Sequence, residues 1–334
     1  MKRYNVQQTV FSGPYSVVER AIDIENKKIV ALKVVDADFN FKPHNVRHEI
    51  DNMKKMENQN ICQCLDVFNK NEDIVLVMPF YSFDLQQWIN RCRRKKLRFN
   101  LNDPSMNKTH YVNDFPHERI VPIIHGLSNA LAYLHGMGII HRDIKPSNVL
   151  FLSEDGSPVL TDFGVSYNAN SPPEDEKPMS KYTDVCTGIY KPPELCFGCQ
   201  NYGYEVDIWS LGIILTVLYS NQGASCIDSE ASDHDLALVN SIFKNFGTPL
   251  VSDETDSRLY WPDAKDPQCH FTKFNFYKYP RKPSKDLLPR CQNEELLLLF
   301  DKMTSYQGSF RISSGGIVSC LDHLTSPRKR CEEG

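Results

Sequence analysis

Two short polar stretches near the middle of the chain combine residue types that suit phosphoryl transfer. The first places Asp143, Lys145 and Asn148 within six positions of one another. The second sets Asp162 two positions ahead of a glycine. Transfer of a phosphoryl group needs a carboxylate to orient the accepting hydroxyl, a cation near the developing charge, and oxygen ligands for magnesium. These four side chains meet those needs, so the surrounding elements must bring the two stretches together.

The composition describes a globular protein with more than one structural unit. Its 334 residues, 41% of them hydrophobic, exceed what one simple core organises, so two lobes are expected. The formal net charge of −4 offers no general attraction for nucleic acid. Eleven scattered cysteines and no recognisable signal peptide predict a reducing compartment, the cytoplasm and/or the nucleus. The longest apolar stretch, about 120–140, contains histidine and asparagine, which predicts a buried helix and no membrane span.

The order of predicted elements divides the chain into a small strand-rich part and a larger helical part. β-Branched residues predict strands over 6–10, 16–24, 28–35 and 74–78. One amphipathic helix, over 45–56, interrupts them. Apolar periodicity then predicts helices over 85–90, 117–137, 206–218, 236–246, 294–303 and 315–323. Two polar segments without periodicity, 91–115 and 222–235, are predicted to be surface loops.

Over residues 4–325 the chain resembles the protein kinase family. The stretch around Asp143 matches the catalytic loop of that family, and the stretch around Asp162 matches its magnesium loop. The resemblance implies ATP and Mg²⁺ as cofactors, bound in a cleft between two lobes. The implied fold is α+β and bilobal, with a β-rich N-lobe containing one αC helix over 1–80, a helical C-lobe over 81–325 and a flexible tail over 326–334.

The same resemblance implies a role for each of the four polar residues. Asp143 would be the catalytic base that orients the substrate hydroxyl, and Lys145 would neutralise charge on the transferring group. Asn148 and Asp162 would hold magnesium through oxygen. A polar turn between two strands is the other interpretation, and the joint match of both motifs at the family spacing argues against it.

The strand-rich part carries the residues that the resemblance assigns to the phosphates. Lys33 matches the strand lysine that contacts the α- and β-phosphates, and Glu49 matches the helix glutamate that pairs with it. The glycine-rich loop departs from the family pattern. Only Gly13 keeps its glycine, while Phe11 and Ser16 replace the other two. Because glycine lets backbone amides approach phosphates closely, we expect a weaker or differently shaped contact with ATP and retained activity.

Further residues are implied to surround the adenine and the ribose. The backbone of residues 79–81 would pair with adenine, Met78 would close the back of that pocket, and Asp84 would meet the ribose. The remaining implied nucleotide contacts come from Val10, Val18, Ala31, Phe80, Tyr81 and Leu150.

Several segments indicate a branch of the family. Residues 187–194 resemble the end of an activation segment, and residues 242–249 resemble a sequence motif of the cyclin-dependent kinases. Cyclin-dependent kinases dock a cyclin on a helix that carries small residues. In the matching segment of this chain, 44–48, larger polar residues replace them. With these departures, the chain resembles the fungal single-subunit kinases that activate cyclin-dependent kinases. The implied partner is therefore a protein substrate, a cyclin-dependent kinase, and the chain is expected to act as a monomer with no obligate cyclin, nucleic acid or membrane.

Two charged segments allow more than one interpretation. Thr183 lies near the usual activation phosphosite, where Arg142 would pair with a phosphate. Alternatively, the acidic run 174–176 would fill that basic pocket without modification, or it would be a solvated loop. The run 91–98 holds six basic residues in eight, which indicates a nuclear-import signal, a docking patch for an acidic partner, or a solvated loop.

Three hypotheses about function follow from these patterns. The first is an active serine/threonine kinase that phosphorylates the activation-loop threonine of a cyclin-dependent kinase. The second is a cyclin-dependent kinase that needs a regulatory chain. The third is a pseudokinase scaffold, which the altered glycine loop favours and the intact polar residues of the site oppose.

Overall fold

The computed structural model describes residues 3–14, 16–37, 41–98 and 108–325. Its N-terminal part is a five-stranded antiparallel sheet in the order β1-β2-β3-β5-β4. The strands are β1 (Tyr4–Ser12), β2 (Val17–Asp23), β3 (Lys28–Asp36), β4 (Asp66–Lys70) and β5 (Asp73–Pro79). The central strands bury one face in a small apolar cluster that includes Val30, Leu32 and Val75. The four predicted strands are confirmed, and β4 is an additional strand.

The predicted helix between the strands is present as α1 (Val46–Met53). Asn45 caps its N-terminus, because the Asn45 side chain accepts a hydrogen bond from the His48 N–H at 3.0 Å. Ile50 and Met53 are buried in the main hydrophobic core, which they share with the C-terminal helices. The helix therefore joins the sheet to the helical part.

The C-terminal part consists of helices around this continuous core. They are α2 (Leu85–Cys92), α3 (His117–Gly136), α4 (Pro193–Cys196), α5 (Glu205–Leu218), α6 (Asp235–Phe246), α7 (Ser284–Leu287), α8 (Glu294–Met303) and α9 (Ser314–Thr325). The central helix α5 is apolar on nearly every side and is buried along its length. All six predicted helices are present. The predicted bilobal α+β fold is confirmed.

Short strands organise the loops that lead into the helical part. β6 (Phe83–Asp84), β10 (Val149–Phe151) and β11 (Val159–Leu160) form one small sheet. β9 (Ile139–Ile140) pairs with β12 (Tyr167–Asn168) in another. These two sheets fix both polar stretches of the sequence, since one stretch lies between β9 and β10 and the other between β11 and β12.

The prediction of a surface loop over 91–115 is wrong, because the described part of that segment contains two paired strands. β7 (Arg93–Arg98) and β8 (Lys108–Asn113) pair antiparallel along their whole length. Asn113 fixes the base of the hairpin, since its side-chain amide donates to two backbone carbonyls at the C-terminus of α5, at 3.0 and 2.8 Å. Charged residues occupy both faces of β7, so the sequence lacks the alternation that normally reveals a strand.

The other segments outside the helices agree with the sequence. The predicted loop over 222–235 contains only a 3-10 turn over Ser229–Asp233 before α6 begins. The tail predicted over 326–334 lies outside the described residues. Within the described ranges, no helix has both the length and the apolar character that crossing a bilayer demands.

Candidate active site

Lys33 lies at the centre of a three-residue charge cluster. Its Nζ is 2.7 Å from Glu49 Oε1 on α1 and 2.9 Å from Asp162 Oδ1. Burial lowers the pKa of Lys33, but the charges of Asp162 and Glu49 outweigh burial and raise that pKa above its usual range. Burial likewise raises the pKa of Asp162, and Lys33 more than reverses this, so that the pKa falls below its ordinary value. The predicted pairing of Lys33 with Glu49 is present, and Asp162 joins it.

Asp143 lies in a second polar cluster, in the loop between β9 and β10. Thr187 donates its hydroxyl to Asp143 Oδ1 at 2.6 Å, and Lys145 Nζ lies 2.7 Å from Asp143 Oδ2. Lys145 also reaches Thr187 Oγ1 at 2.8 Å. The Asn148 amide donates to Asp143 Oδ2 at 3.0 Å. These contacts hold the carboxylate in one orientation, with a cation beside it.

Asp207 on α5 holds the backbone of the loop that carries Asp143. Its two carboxylate oxygens accept hydrogen bonds from the N–H groups of His141 at 2.9 Å and Arg142 at 2.8 Å. Burial raises the pKa of Asp207, but a hydrogen bond from His135 lowers it below the usual value. Arg142 has a φ of 67°, which is rare for a residue with a Cβ. The buried carboxylate therefore stabilises a strained turn immediately before Asp143.

Both polar clusters line one cavity of about 380 Å³. Its charged lining residues are Lys33, Glu49, Asp143, Lys145, Asp162 and Asp184. Phe11, Gly13 and Ser16 line the side that belongs to the sheet. The Phe11 ring covers Gly13, since a Cβ added at Gly13 would lie 2.8 Å from a ring carbon. The Gly13 N–H donates to the Ser16 carbonyl at 3.0 Å, so the loop closes on itself over the cavity.

The residues predicted around the adenine are arranged by strand register. Ala31 lies opposite Met78 in the pair formed by β3 and β5, and Leu150 lies opposite Asp84 in the pair formed by β10 and β6. The Asp84 carboxylate caps α2 by accepting the Gln87 N–H at 2.8 Å. Among described residues predicted to bind the nucleotide or the metal, those outside the lining of the cavity are Val10, Val18, Ala31, Met78, Phe80, Tyr81, Asp84, Asn148 and Leu150.

Asn148 and Asp162 fit a hard divalent cation. The amide nitrogen of Asn148 donates to Asp143, so its carbonyl oxygen is the atom that a cation would use. Asp162 binds Lys33 through Oδ1, which leaves the second carboxylate oxygen for a metal. Carboxylate and amide oxygens are typical ligands of such ions. A bound divalent metal would supply positive charge against the phosphates, and the two side chains would hold it beside Lys33.

Glu176 fills the basic pocket of the activation segment. Its carboxylate binds the Arg142 guanidinium in a bidentate manner, at 2.5 and 2.9 Å. The two side chains are only 1% and 2% exposed. Glu176 also accepts the Tyr182 N–H at 2.9 Å, which ties the following residues to the same pocket. Of the three interpretations of this segment, these contacts agree with the acidic run in the basic pocket, through Glu176.

The fold and these two clusters define a protein kinase, and comparison with known proteins agrees. The family model of the protein kinase domain matches residues 4–324, so the chain belongs to that family. The yeast RNA Pol II CTD kinase CTDK-1 complex contains a chain with the same fold, with a TM-score of 0.76, 23% identity, and coverage of 98% of this chain and 94% of that one.

Two fungal kinases and a plant kinase are similar in sequence. Serine/threonine-protein kinase csk1 of Schizosaccharomyces pombe is 30% identical over 79% of this chain and 76% of its own length. Serine/threonine-protein kinase CAK1 of Saccharomyces cerevisiae is 33% identical over 70% and 72%. Cyclin-dependent kinase D-1 of Oryza sativa is 30% identical over 93% and 64%. The chain is accordingly a serine/threonine protein kinase that uses ATP and a divalent metal, and the prediction of an enzyme is confirmed.

The sequence did not single out Thr187 as a site residue, although it contacts both Asp143 and Lys145. Its only signal is its place seven positions before Glu194 in the activation segment. That position alone does not show which side chains Thr187 contacts, so the contacts become visible only in the fold. Glu194 itself is anchored by Arg311, whose guanidinium binds its two oxygens at 2.5 and 2.8 Å.

Proposed function

We propose that this kinase transfers the γ-phosphoryl group of MgATP to the activation-loop threonine of a cyclin-dependent kinase, and that it acts as a single subunit without a cyclin. Similarity to csk1 and CAK1 and the departures of the cyclin-docking helix support this substrate class. The observation that carries the proposal is the Lys33–Glu49 ion pair of 2.7 Å, formed within one chain. The proposed site of action is the cytoplasm and/or the nucleus.

Contacts within the chain hold α1 where this ion pair forms. The Asn45 N–H donates to the Gly164 carbonyl at 2.9 Å, directly after the metal-binding loop. Asn52, buried on α1, accepts a hydrogen bond from the Asn168 amide at 2.8 Å. Both bonds join α1 to the start of the activation segment. These contacts within the chain support the proposal that no cyclin is needed to bring the glutamate of α1 to Lys33.

The second polar cluster supports the proposed chemistry. Asp143 already accepts a hydrogen bond from an aliphatic hydroxyl, that of Thr187, at 2.6 Å. A substrate threonine hydroxyl would bind the same carboxylate, which orients it and takes its proton. Lys145 lies beside this carboxylate and would balance negative charge on the transferring group. Asn148 and Asp162 are the proposed magnesium ligands.

The test uses the purified full chain, MgATP and a monomeric cyclin-dependent kinase made inactive at its own catalytic aspartate. We expect phosphate on the activation-loop threonine of the target, identified by mass spectrometry, with no cyclin present. Asp143→Asn in this chain and alanine at the target threonine are the negative controls. Transfer only after a cyclin is added to this chain would favour the cyclin-requiring alternative. Phosphorylation of a general protein substrate with none on the target would refute the proposed substrate.

A further inference from the structure

The hairpin formed by β7 and β8, called here the basic ribbon, is a strongly charged surface that the catalytic site does not use. Six of the eight residues over 91–98 are basic, in a chain whose formal net charge is −4. In the antiparallel register, Lys96 pairs with His110, and two positions further along Arg98 pairs with Lys108. Basic residue types therefore occur in both strands of the ribbon, which concentrates positive charge.

The ribbon is anchored firmly to the helical part. Arg93 Nε donates to the Gln222 carbonyl at 2.9 Å, and the Arg93 guanidinium lies 4.1 Å from the centre of the Tyr111 ring. The Arg94 side chain forms an ion pair with Asp114. These two arginines fix the base of the ribbon. Lys95 and Lys96 are exposed further along the same strand.

Apolar groups are exposed among these charges. Leu97 is 58% exposed and Tyr111 is 37% exposed. Tyr111 lies opposite Lys95 in the register, so an aromatic ring and a cation stand side by side across the two strands. In the part of the chain that the structure describes, the ribbon is a sheet of two strands only, which leaves main-chain groups on its outer edges.

We propose that the basic ribbon docks an extended, acidic segment of the protein substrate, in which apolar residues alternate with carboxylates. Cations on the ribbon match the carboxylates, and the exposed leucine and tyrosine match the apolar side chains. The open strand edges offer the main-chain hydrogen bonds that an extended polypeptide makes. A nuclear-import signal fits less well, because the main chain of this basic run is already paired with β8.

The place of the ribbon in the fold suits this role. It follows α2 directly, and Asp84, the predicted ribose contact, caps the N-terminus of α2. A helix of eight residues is about 12 Å long. A strand of six residues adds about 20 Å. These lengths bound the distance from Asp84 to the far end of the ribbon, so at most about ten extended residues would link a segment docked there to the active site, which raises the effective concentration of the substrate. The inference rests on kinase activity toward a protein and does not depend on which protein is the target.

Fluorescence anisotropy with the full chain tests the proposal. The probes are a short labelled peptide that alternates glutamate with leucine, the same peptide with lysine for glutamate, and a short single-stranded RNA. The ribbon variant is Lys95→Glu/Lys96→Glu, and Lys285→Glu/Lys302→Glu on α7 and α8 is the control with the same change in charge. We expect the acidic peptide to bind the wild type and the control equally, and the ribbon variant about tenfold or more weakly.

Two further readouts accompany the binding curves. Added salt should weaken binding of the acidic peptide, because the charged groups are exposed. All three proteins should phosphorylate a short peptide substrate without acidic residues at the same rate, which shows that the variants are folded. Equal peptide binding by the ribbon and control variants, absence of peptide binding, or ribbon-dependent binding of RNA in preference to the peptide would each overturn the proposal. Because the binding assay contains no cyclin-dependent kinase, its outcome does not depend on whether that kinase is phosphorylated in the transfer assay.

Discussion

Asp143 shows how a single carboxylate is oriented without losing its role as a hydrogen-bond acceptor. Its neighbours Lys145, Asn148 and Thr187 all donate to it, and the Thr187 hydroxyl occupies Oδ1 at 2.6 Å. Lys33 and Asp162 form a separate cluster, which is the proposed phosphate and metal site. We therefore expect the acceptor hydroxyl and the nucleotide to contact different side chains. A substitution in the Asp143 cluster should therefore change turnover and leave nucleotide binding unchanged.

The substitution Asp143→Asn tests that separation. The amide keeps the shape of the side chain but cannot take the hydroxyl proton, so we expect kcat to fall by about 10²- to 10⁴-fold. The Kd for ATP should stay close to the wild-type value, since Asp143 addresses the acceptor. Phosphate transfer gives kcat, and calorimetry gives the Kd. A parallel loss of ATP affinity would instead place Asp143 in the support of the nucleotide.

Glu176 occupies the Arg142 pocket where a phosphothreonine would otherwise bind, which predicts that the activation segment is ordered without modification. In Glu176→Gln the buried guanidinium loses its counter-charge. Breaking a buried pair in this way costs about 3 kcal/mol of unfolding free energy, and kcat should fall as the segment loosens. Thr183→Ala is the matched substitution in the same segment and should retain wild-type stability and turnover. Urea unfolding measures the stability of the two variants, and phosphate transfer measures their turnover. Loss of turnover in Thr183→Ala but not in Glu176→Gln would mean that phosphorylation of Thr183 activates the kinase.

Helices and strands could be predicted from the sequence where a segment buries one of its faces against the core. The helices α3, α6 and α8 were predicted because their apolar residues must pack against the core, which imposes a visible period. The basic ribbon was missed because neither face of β7 is buried, so register and anchoring come from β8 and from α5. In the site, motif spacing identified Lys33 and Asp162. The contacts of Thr187 depend on a chain reversal that no local pattern encodes.

The loop between β1 and β2 gives a prediction at this scale. In Phe11→Gly/Ser16→Gly the whole Phe11 side chain, whose ring covers Gly13, and the Ser16 side chain are removed, so backbone amides should approach the phosphates more closely. One added hydrogen bond of typical strength should lower the KM for ATP about two- to tenfold, with kcat unchanged. Val6→Gly/Gln8→Gly, on the exposed part of β1, is the control for added flexibility and should leave the KM unchanged. An inactive Phe11→Gly/Ser16→Gly protein would show that the altered loop is essential as it stands.

At the scale of the whole molecule, the contact between α1 and the activation segment joins the two lobes. A cavity of about 620 Å³ lies between them, with His44 and His48 on one wall and residues 174–176 on the other. The charged groups that act on these two histidines are Lys33, Asp51, Lys55, Arg142, Asp143, Lys145, Asp162 and Glu176. A change in the charge of either histidine would therefore alter the interactions between the two lobes.

Stability should therefore depend on pH through this contact. Burial lowers the pKa of His44 and of His48. In the unfolded chain both return to about 6.5, so below that pH the unfolded state binds more protons than the folded state. The free energy of unfolding should accordingly fall as the pH drops below about 6.5 and level off above it. Urea unfolding across this window measures the slope. His44→Gln/His48→Gln should flatten it, while His323→Gln, exposed on α9, should not; an unaltered slope in the double variant would show that the two histidines are not its source.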